Sequence, residues 1–157
     1  MFERGYFTEA VRLVQIAEGA CADSQSPIAA EIFEALASLR GECNRIDEST
    51  DLLCKTLSIR ERLLSPSDPL LAYSYKNVGL VLSCQGNFEK AFSCFEKAFS
   101  CVKGFREPNP IAAAGVFGNL GVYYMLKGEY DDAVVNLERA LTLTLEASAE
   151  GDDHYAE

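Results

Sequence analysis

The sequence predicts an all-α fold built as a stack of antiparallel helical hairpins, and three observations carry that prediction. The chain repeats itself at one fixed spacing: Asn77, Gly79, Gly86, Ala91, Glu96 and Ala98 recur as Asn119, Gly121, Gly128, Ala133, Glu138 and Ala140, a period of 42. Within each repeat the apolar residues follow the helical period. Glycine and proline interrupt the pattern at corresponding places in successive copies. A fixed period of about 20–50 residues marks supersecondary units too small to hold a core alone, which become stable by stacking.

Helices are expected at 7–22, 28–41, 46–64, 69–84, 88–103, 110–126 and 130–148. The segment Gly5–Ala10 mirrors Gly86–Ala91, and Val14 and Ala17 continue it, so 5–26 reads as a partial repeat holding a second helix only. The next repeat, 27–68, is degenerate. Phe33, Leu36, Ala37, Ile46 and Leu53 keep the pattern, but Arg40 takes the place of Leu82, and Ser49 and Thr56 replace alanines.

The repeat over 69–109 is the clearest. Its first helix carries Tyr75, Val78, Gly79 and Leu82. Its second carries Phe88, Ala91, Phe92, Phe95, Ala98, Phe99 and Val102, one apolar stripe opposed by charged residues. The repeat over 110–148 reproduces both sets, as Phe117, Leu120, Gly121 and Tyr124, then Tyr130, Ala133, Val134, Leu137, Ala140, Leu141 and Thr144. The array thus occupies 1–148, and 149–157 reads as an acidic tail. A mid-helix glycine costs about 1 kcal/mol against alanine, so the recurrence of Gly79 and Gly121 points to close helix packing. Gly86 and Gly128 supply the left-handed residue that ends a first helix, and the prolines of 65–69 and 107–110 separate one pair from the next.

Composition narrows the function. The net charge is −10, and the 14 Lys and Arg residues are scattered, which argues against nucleic acid. No apolar run approaches the roughly 18–20 residues that span a bilayer, and Met1–Gly5 lacks the character of a secretory signal. The reading is a soluble, cytoplasmic protein. Among six cysteines there is no C-x-x-C pair, and His154 is the sole histidine, so no metal site is expected. Cys94 and Cys101, about 10 Å apart along one helix, are beyond the ~7 Å reach of a disulfide; all six thiols are expected to be free and buried. There is no G-x-S-x-G, no phosphate loop and no cofactor motif, so no catalysis is expected. Asp131 and Asp132 are accounted for by the positive end of a helix, and Asp152 and Asp153 by a solvated tail.

Tyr75, Val78-Gly79, Leu82, Ala91, Phe95 and Ala98, with their counterparts one repeat on, resemble the tetratricopeptide repeat. The usual period of that family is about 34, so 42 implies helices longer by about two turns per pair. The longer form is similar to the repeats of kinesin light chain, of spindle-orientation adaptors, and of the sensor arrays of fungal and bacterial NTPase-type receptors. The segment Leu57–Leu64 followed by Asp68-Pro69 is similar to the linker there. The resemblance covers about residues 5–148 and is strongest over 70–145. It implies a right-handed α-solenoid, a superhelix of three hairpins and one leading helix.

It also implies a groove lined by first helices. The outward residues would be Glu31, Glu34, Ala35 and Ser38, then Tyr73, Lys76, Asn77 and Leu80, then Gly115, Gly118, Asn119 and Val122. In related arrays an asparagine at the place of Asn77 and Asn119 bonds the peptide backbone, its amide both donating and accepting. The alternative is that these amides only bond neighbouring helix backbone. A carboxylate clamp of the chaperone-binding kind is excluded, because only Lys76 supplies a base and Glu31 and Glu34 would repel. The implied function is a protein- or peptide-binding scaffold, a segment of a larger adaptor or receptor. The alternative is a ligand-sensing array controlling an attached NTPase or effector. Val135 and Leu143 are expected to face a following unit, so the chain is either cut from a longer array or self-associates through its uncapped end.

Overall fold

The computed structural model describes residues 24–153, together with Arg12, Ile16 and 19–21. The expected helix 7–22 and the partial repeat therefore lie largely outside the described residues. Six helices follow: α1 (Pro27–Glu42), α2 (Ile46–Leu63), α3 (Pro69–Cys84), α4 (Phe88–Lys103), α5 (Pro110–Lys127) and α6 (Tyr130–Asp153). No strand occurs among the described residues. The chain forms two compact units, Met1–Leu63 and Leu64–Glu157.

Local sequence sets both ends of each first helix. Ser26, Asp68 and Asn109 precede a proline at the first helical turn, and their side chains accept from the N–H groups of Ala29, Leu70 and Ala112 at 3.2, 2.8 and 2.9 Å. At the other end, Asn44, Gly86 and Gly128 take φ of 58°, 74° and 84°. The next N–H closes back over the turn: Arg45 donates to Arg40 O, Asn87 to Leu82 O and Glu129 to Tyr124 O, each at 2.9 Å. This is the Schellman arrangement, and it needs a left-handed residue that glycine or asparagine adopts most readily. The degenerate repeat keeps the turn by using Asn44.

In the first unit, α1 and α2 pack around Phe33, Leu36, Ala37, Leu52 and Ile59. The residues that break the apolar pattern are answered by polar contacts between the helices. Ser49 donates to Ala37 O at 2.8 Å, and Thr56 donates to Ala30 O at 3.2 Å. Arg40 Nε lies 3.2 Å from Glu48 Oε2. A buried hydroxyl left without an acceptor would destabilise the pair; Ser49 finds its acceptor across the hairpin, and Thr56 also reaches Leu52 O of its own helix at 3.1 Å.

The second unit holds two hairpins, α3/α4 and α5/α6, and α5 packs on both helices of the preceding hairpin. Its centre is Ala91, Phe95 and Tyr123, surrounded by Leu82, Phe88, Leu120 and Tyr124. Gly79 is required here: a Cβ would stand 2.7 Å from the Phe95 ring. At Gly121 it would stand 2.5 Å from Leu137 Cγ.

Three expectations need correction. The last helix does not stop at 148 but continues to Asp153. The thiols are free, but Cys43, Cys54 and Cys84 are exposed, because they lie at helix ends or on outward faces. Val135 shares its register with Ser93, exposed even in the covered hairpin, so it faces outward rather than toward a following unit. Leu143 is half-buried and lines a hollow with Phe99, Val102 and Ala113.

Candidate functional site

In the second unit the outward residues of α3 and α5 form one surface. Tyr73 is about half exposed, and Lys76 Nζ sits 4.5 Å above its ring, a cation–π contact that orders both long side chains. The Lys76 stem runs over Gly115, whose Cβ position is 3.6 Å from Lys76 Cδ. Beside this pair lies a recess of about 110 Å³ lined by Pro69, Ala72, Tyr73, Lys76, Ala112 and Val116. Leu80 is half-buried and Val122 is exposed, which extends the surface with apolar groups.

The two asparagines differ. Asn119 Nδ2 donates to Lys76 O at 3.4 Å, which uses its amide to bond the neighbouring first helix. At that distance the bond is weak, and Oδ1 remains an acceptor. Asn77 is half-buried, and its side-chain amide makes no hydrogen bond among the described residues.

In the first unit Glu31 and Ala35 are exposed on α1. Glu34 is held from behind. Its Oε1 and Oε2 accept from Arg60 Nη1 and Nη2 at 3.1 and 2.7 Å, and Arg60 is buried. A guanidinium taken out of water needs such a carboxylate, so the charge of Glu34 is committed to α2. Ser38 Oγ donates to Glu34 O at 3.2 Å, a bond within its own helix. No sequence signal pairs Arg60 with Glu34, because the two lie on different helices and in no repeated register.

Burial pushes the Cys101 thiol up, and burial followed by the nearby Asp132 pushes the Tyr124 phenol up. Lys127 is raised by its hydrogen bond to Glu129, at 2.7 Å across the turn into α6. These shifts stabilise uncharged interior groups and a surface ion pair. No helix among the described residues is long and apolar enough to cross a membrane.

Paired antiparallel helices on a 42-residue pitch, closed by the same turn each time, define an α-solenoid repeat protein. The chain belongs to the tetratricopeptide repeat family, which matches residues 28–103 and 114–155. Repeats of this family are a protein-interaction scaffold, and the chain is such a scaffold. No curated protein sequence matches it. Among solved structures it is similar to BtubC (BKLC) from P. vanneervenii, with 21% identity over 92% of this chain and 59% of that one, at a TM-score of 0.76. It is also similar to the nearly identical kinesin-light-chain-type repeats from Podosopora anserina, with 20% identity over 92% of this chain and 70% of that one, at a TM-score of 0.72. MamA is similar at 23% identity over 76% of this chain and 61% of that one, at a TM-score of 0.54. At these identities the likeness is one of fold, and the chain spans 59% of the length of the first of them.

Proposed function

We propose that the scaffold binds an extended or helical peptide segment of a partner protein across the outward residues of its first helices. The observation that carries this is Asn77, a half-buried amide free of protein hydrogen bonds among the described residues, set one residue from the Lys76–Tyr73 pair. An amide that donates and accepts meets a peptide backbone, while the recess below Tyr73 suits an apolar side chain. Leu80, Asn119 and Val122 extend the same reading along the second unit. Glu31 and Ser38 hold the equivalent places on the first unit, where Glu34 contributes through its position more than its charge.

The scaffold acts as a binding module without chemistry of its own, within a larger adaptor or receptor. Six free thiols suit the reducing cytoplasm. No residue of this chain favours the alternative of an array driving an attached NTPase. Self-association through the last hairpin would be a separate mode of assembly. To test the groove, a peptide is selected from a random library against the chain and titrated against Asn77→Ala and Tyr73→Ala. Both variants should weaken binding, by about 0.5–1.5 kcal/mol for the lost amide, with Tm nearly unchanged. Unchanged affinity in both would remove this surface from the binding site.

A further inference from the structure

The segment that joins the two hairpins of the second unit, Gly104-Phe105-Arg106-Glu107-Pro108-Asn109, carries a large apolar residue and a cation on a short connection. Both its ends are held. Phe105 N–H donates to Val102 O at 3.2 Å, and Asn109 caps α5 through Ala112 N–H at 2.9 Å. Pro108 and Pro110 fix two further φ angles, so the shape of this corner is set before anything binds.

Two hollows border the segment. The first, of about 600 Å³, is walled by Phe99 and Val102 of α4, by Phe105, by Pro110 and Ala113 of α5, and by Leu143 of α6. That volume falls within the ~300–1,000 Å³ of clefts that take ligands. The second, of about 430 Å³, lies beside Ser67 and Pro69 at the start of α3. Phe105, Arg106, Pro108 and Asn109 belong to both. Of all these walls only Val102 and Pro69 also line the recess beside Tyr73.

The first hollow is not the open end of the stack. Phe88, Phe92 and Phe95 receive Tyr123 of the next hairpin, and the corresponding side of α6 carries Tyr130, Val134, Leu137 and Leu141. Leu143 follows Leu141 by two residues, and at about 100° per residue it points to the far side of the helix. A hairpin packed on the stripe of α6 would therefore leave this hollow open.

Charge selects the occupant. On a chain of net charge −10, no carboxylate among the described residues lines the first hollow. Lys103 Nζ sits 4.6 Å above the Phe99 ring at its wall. Phe99 meets Phe117 at 5.4 Å, and Arg139 stacks on Phe117 at 4.6 Å. Arg106 is exposed and makes no ion pair or hydrogen bond among the described residues. The second hollow is more polar, with Ser67, Asn109 and Glu107 at its walls. A cation standing between an apolar and a polar recess suits an extended chain, whose residues i and i+2 share a face about 6.6–6.8 Å apart. Three cations on so acidic a chain are too few to hold a nucleic-acid backbone.

We propose that this corner docks an extended acidic segment of a partner protein. One large apolar side chain sits in the first hollow, a carboxylate meets Arg106 and Lys103, and a neutral residue lies beside Glu107. The site is separate from the first-helix surface and does not depend on peptide binding there.

The test titrates the ¹⁵N-labelled chain with blocked eight-residue peptides of glycine and serine that carry phenylalanine and, two residues on, glutamate. One companion peptide has lysine for the glutamate, another has alanine for the phenylalanine. At millimolar concentration the glutamate peptide should shift the amide signals of Phe105, Arg106, Ala113 and Leu143, and both companions should bind at least fivefold more weakly. Arg106→Glu, a change on an exposed side chain, should weaken the glutamate peptide at least fivefold. Lys103→Glu combined with Arg106→Glu should make the lysine peptide the tighter ligand, an inversion that loss of folding does not produce. Absence of the shifts, equal binding of the glutamate and lysine peptides, or an unchanged preference in the double variant would overturn the proposal. Shifts confined to Tyr73, Lys76 and Asn77 would overturn it by moving the peptide to the first-helix surface. N-acetylphenylalanine binding as tightly as the peptide would do so by assigning the hollow to a small amphiphilic anion.

Discussion

Phe95 and Leu137 stand at the same place in successive hairpins, each within the same spacing of alanines, yet Phe95 is 1% exposed and Leu137 is 39% exposed. Ala91 and Ala133, on the inner side of the same helices, are both buried. The difference follows from the neighbour. A residue facing its own partner helix is buried by its own hairpin, while one facing along the stack is buried only when another hairpin covers it. The first hairpin supplies a third solution, with Ser49, Thr56 and Arg60 closing the helix pair through hydrogen bonds and an ion pair where the later units use alanines and aromatic rings.

The largest effect should separate the two stripe residues. Phe95→Ala should cost about 3–5 kcal/mol by opening a core cavity. Leu137→Ala should cost about 1 kcal/mol, since much of that side chain already meets water. Urea unfolding followed by circular dichroism measures both, and equal losses would mean that the last hairpin is covered in solution.

The polar closure of the first hairpin gives the next effect. Glu34→Ala removes the carboxylate that accepts from both Arg60 Nη1 and Nη2 and should cost about 2–3 kcal/mol, below the ~3–5 of a fully buried pair because Glu34 is partly exposed. A variant with unchanged Tm would show that Glu34 serves the surface alone.

The two mid-helix glycines sharpen the contrast further. Gly79→Ala pushes a methyl into the enclosed Phe95 ring and should destabilise by about 1–3 kcal/mol. Gly121→Ala meets Leu137, which has solvent to move into, and the roughly 1 kcal/mol gain in helix propensity offsets much of the clash. The unfolding midpoint of Gly121→Ala should therefore fall less than that of Gly79→Ala, and the reverse order would break the comparison.

Thiol labelling gives the smallest perturbation. Cys43 and Cys84 should react with a maleimide at once near pH 8, whereas Cys101, buried and with its thiol pushed up by burial, should react only as the chain unfolds. Mass spectrometry of the labelled peptides distinguishes these rates.

The helix positions were legible because their causes are local. Asp68-Pro69 starts α3, Gly86 ends it, and the stripe from Phe88 to Val102 faces one way whatever surrounds it. The turn at Asn44 was not expected, although it lies one repeat before Gly86 and asparagine tolerates the left-handed region. The candidate surface was less legible. Register put Asn77 and Asn119 on one face, but only packing showed Asn119 donating to Lys76 O while the side-chain amide of Asn77 does not bond. Helical register likewise turned Glu34 outward, whereas a distant arginine determined where its charge goes.

By itself, then, the sequence determined the helices, their caps and turns, the 42-residue pitch and the family, because each depends on residues within a turn or two or on a pattern repeated in register. The tertiary structure alone decided which members of an identical stripe are covered, which polar side chains are engaged, and which thiols meet solvent. Burial is a property of the neighbouring helix as much as of the residue, and two hairpins with the same pattern meet different neighbours.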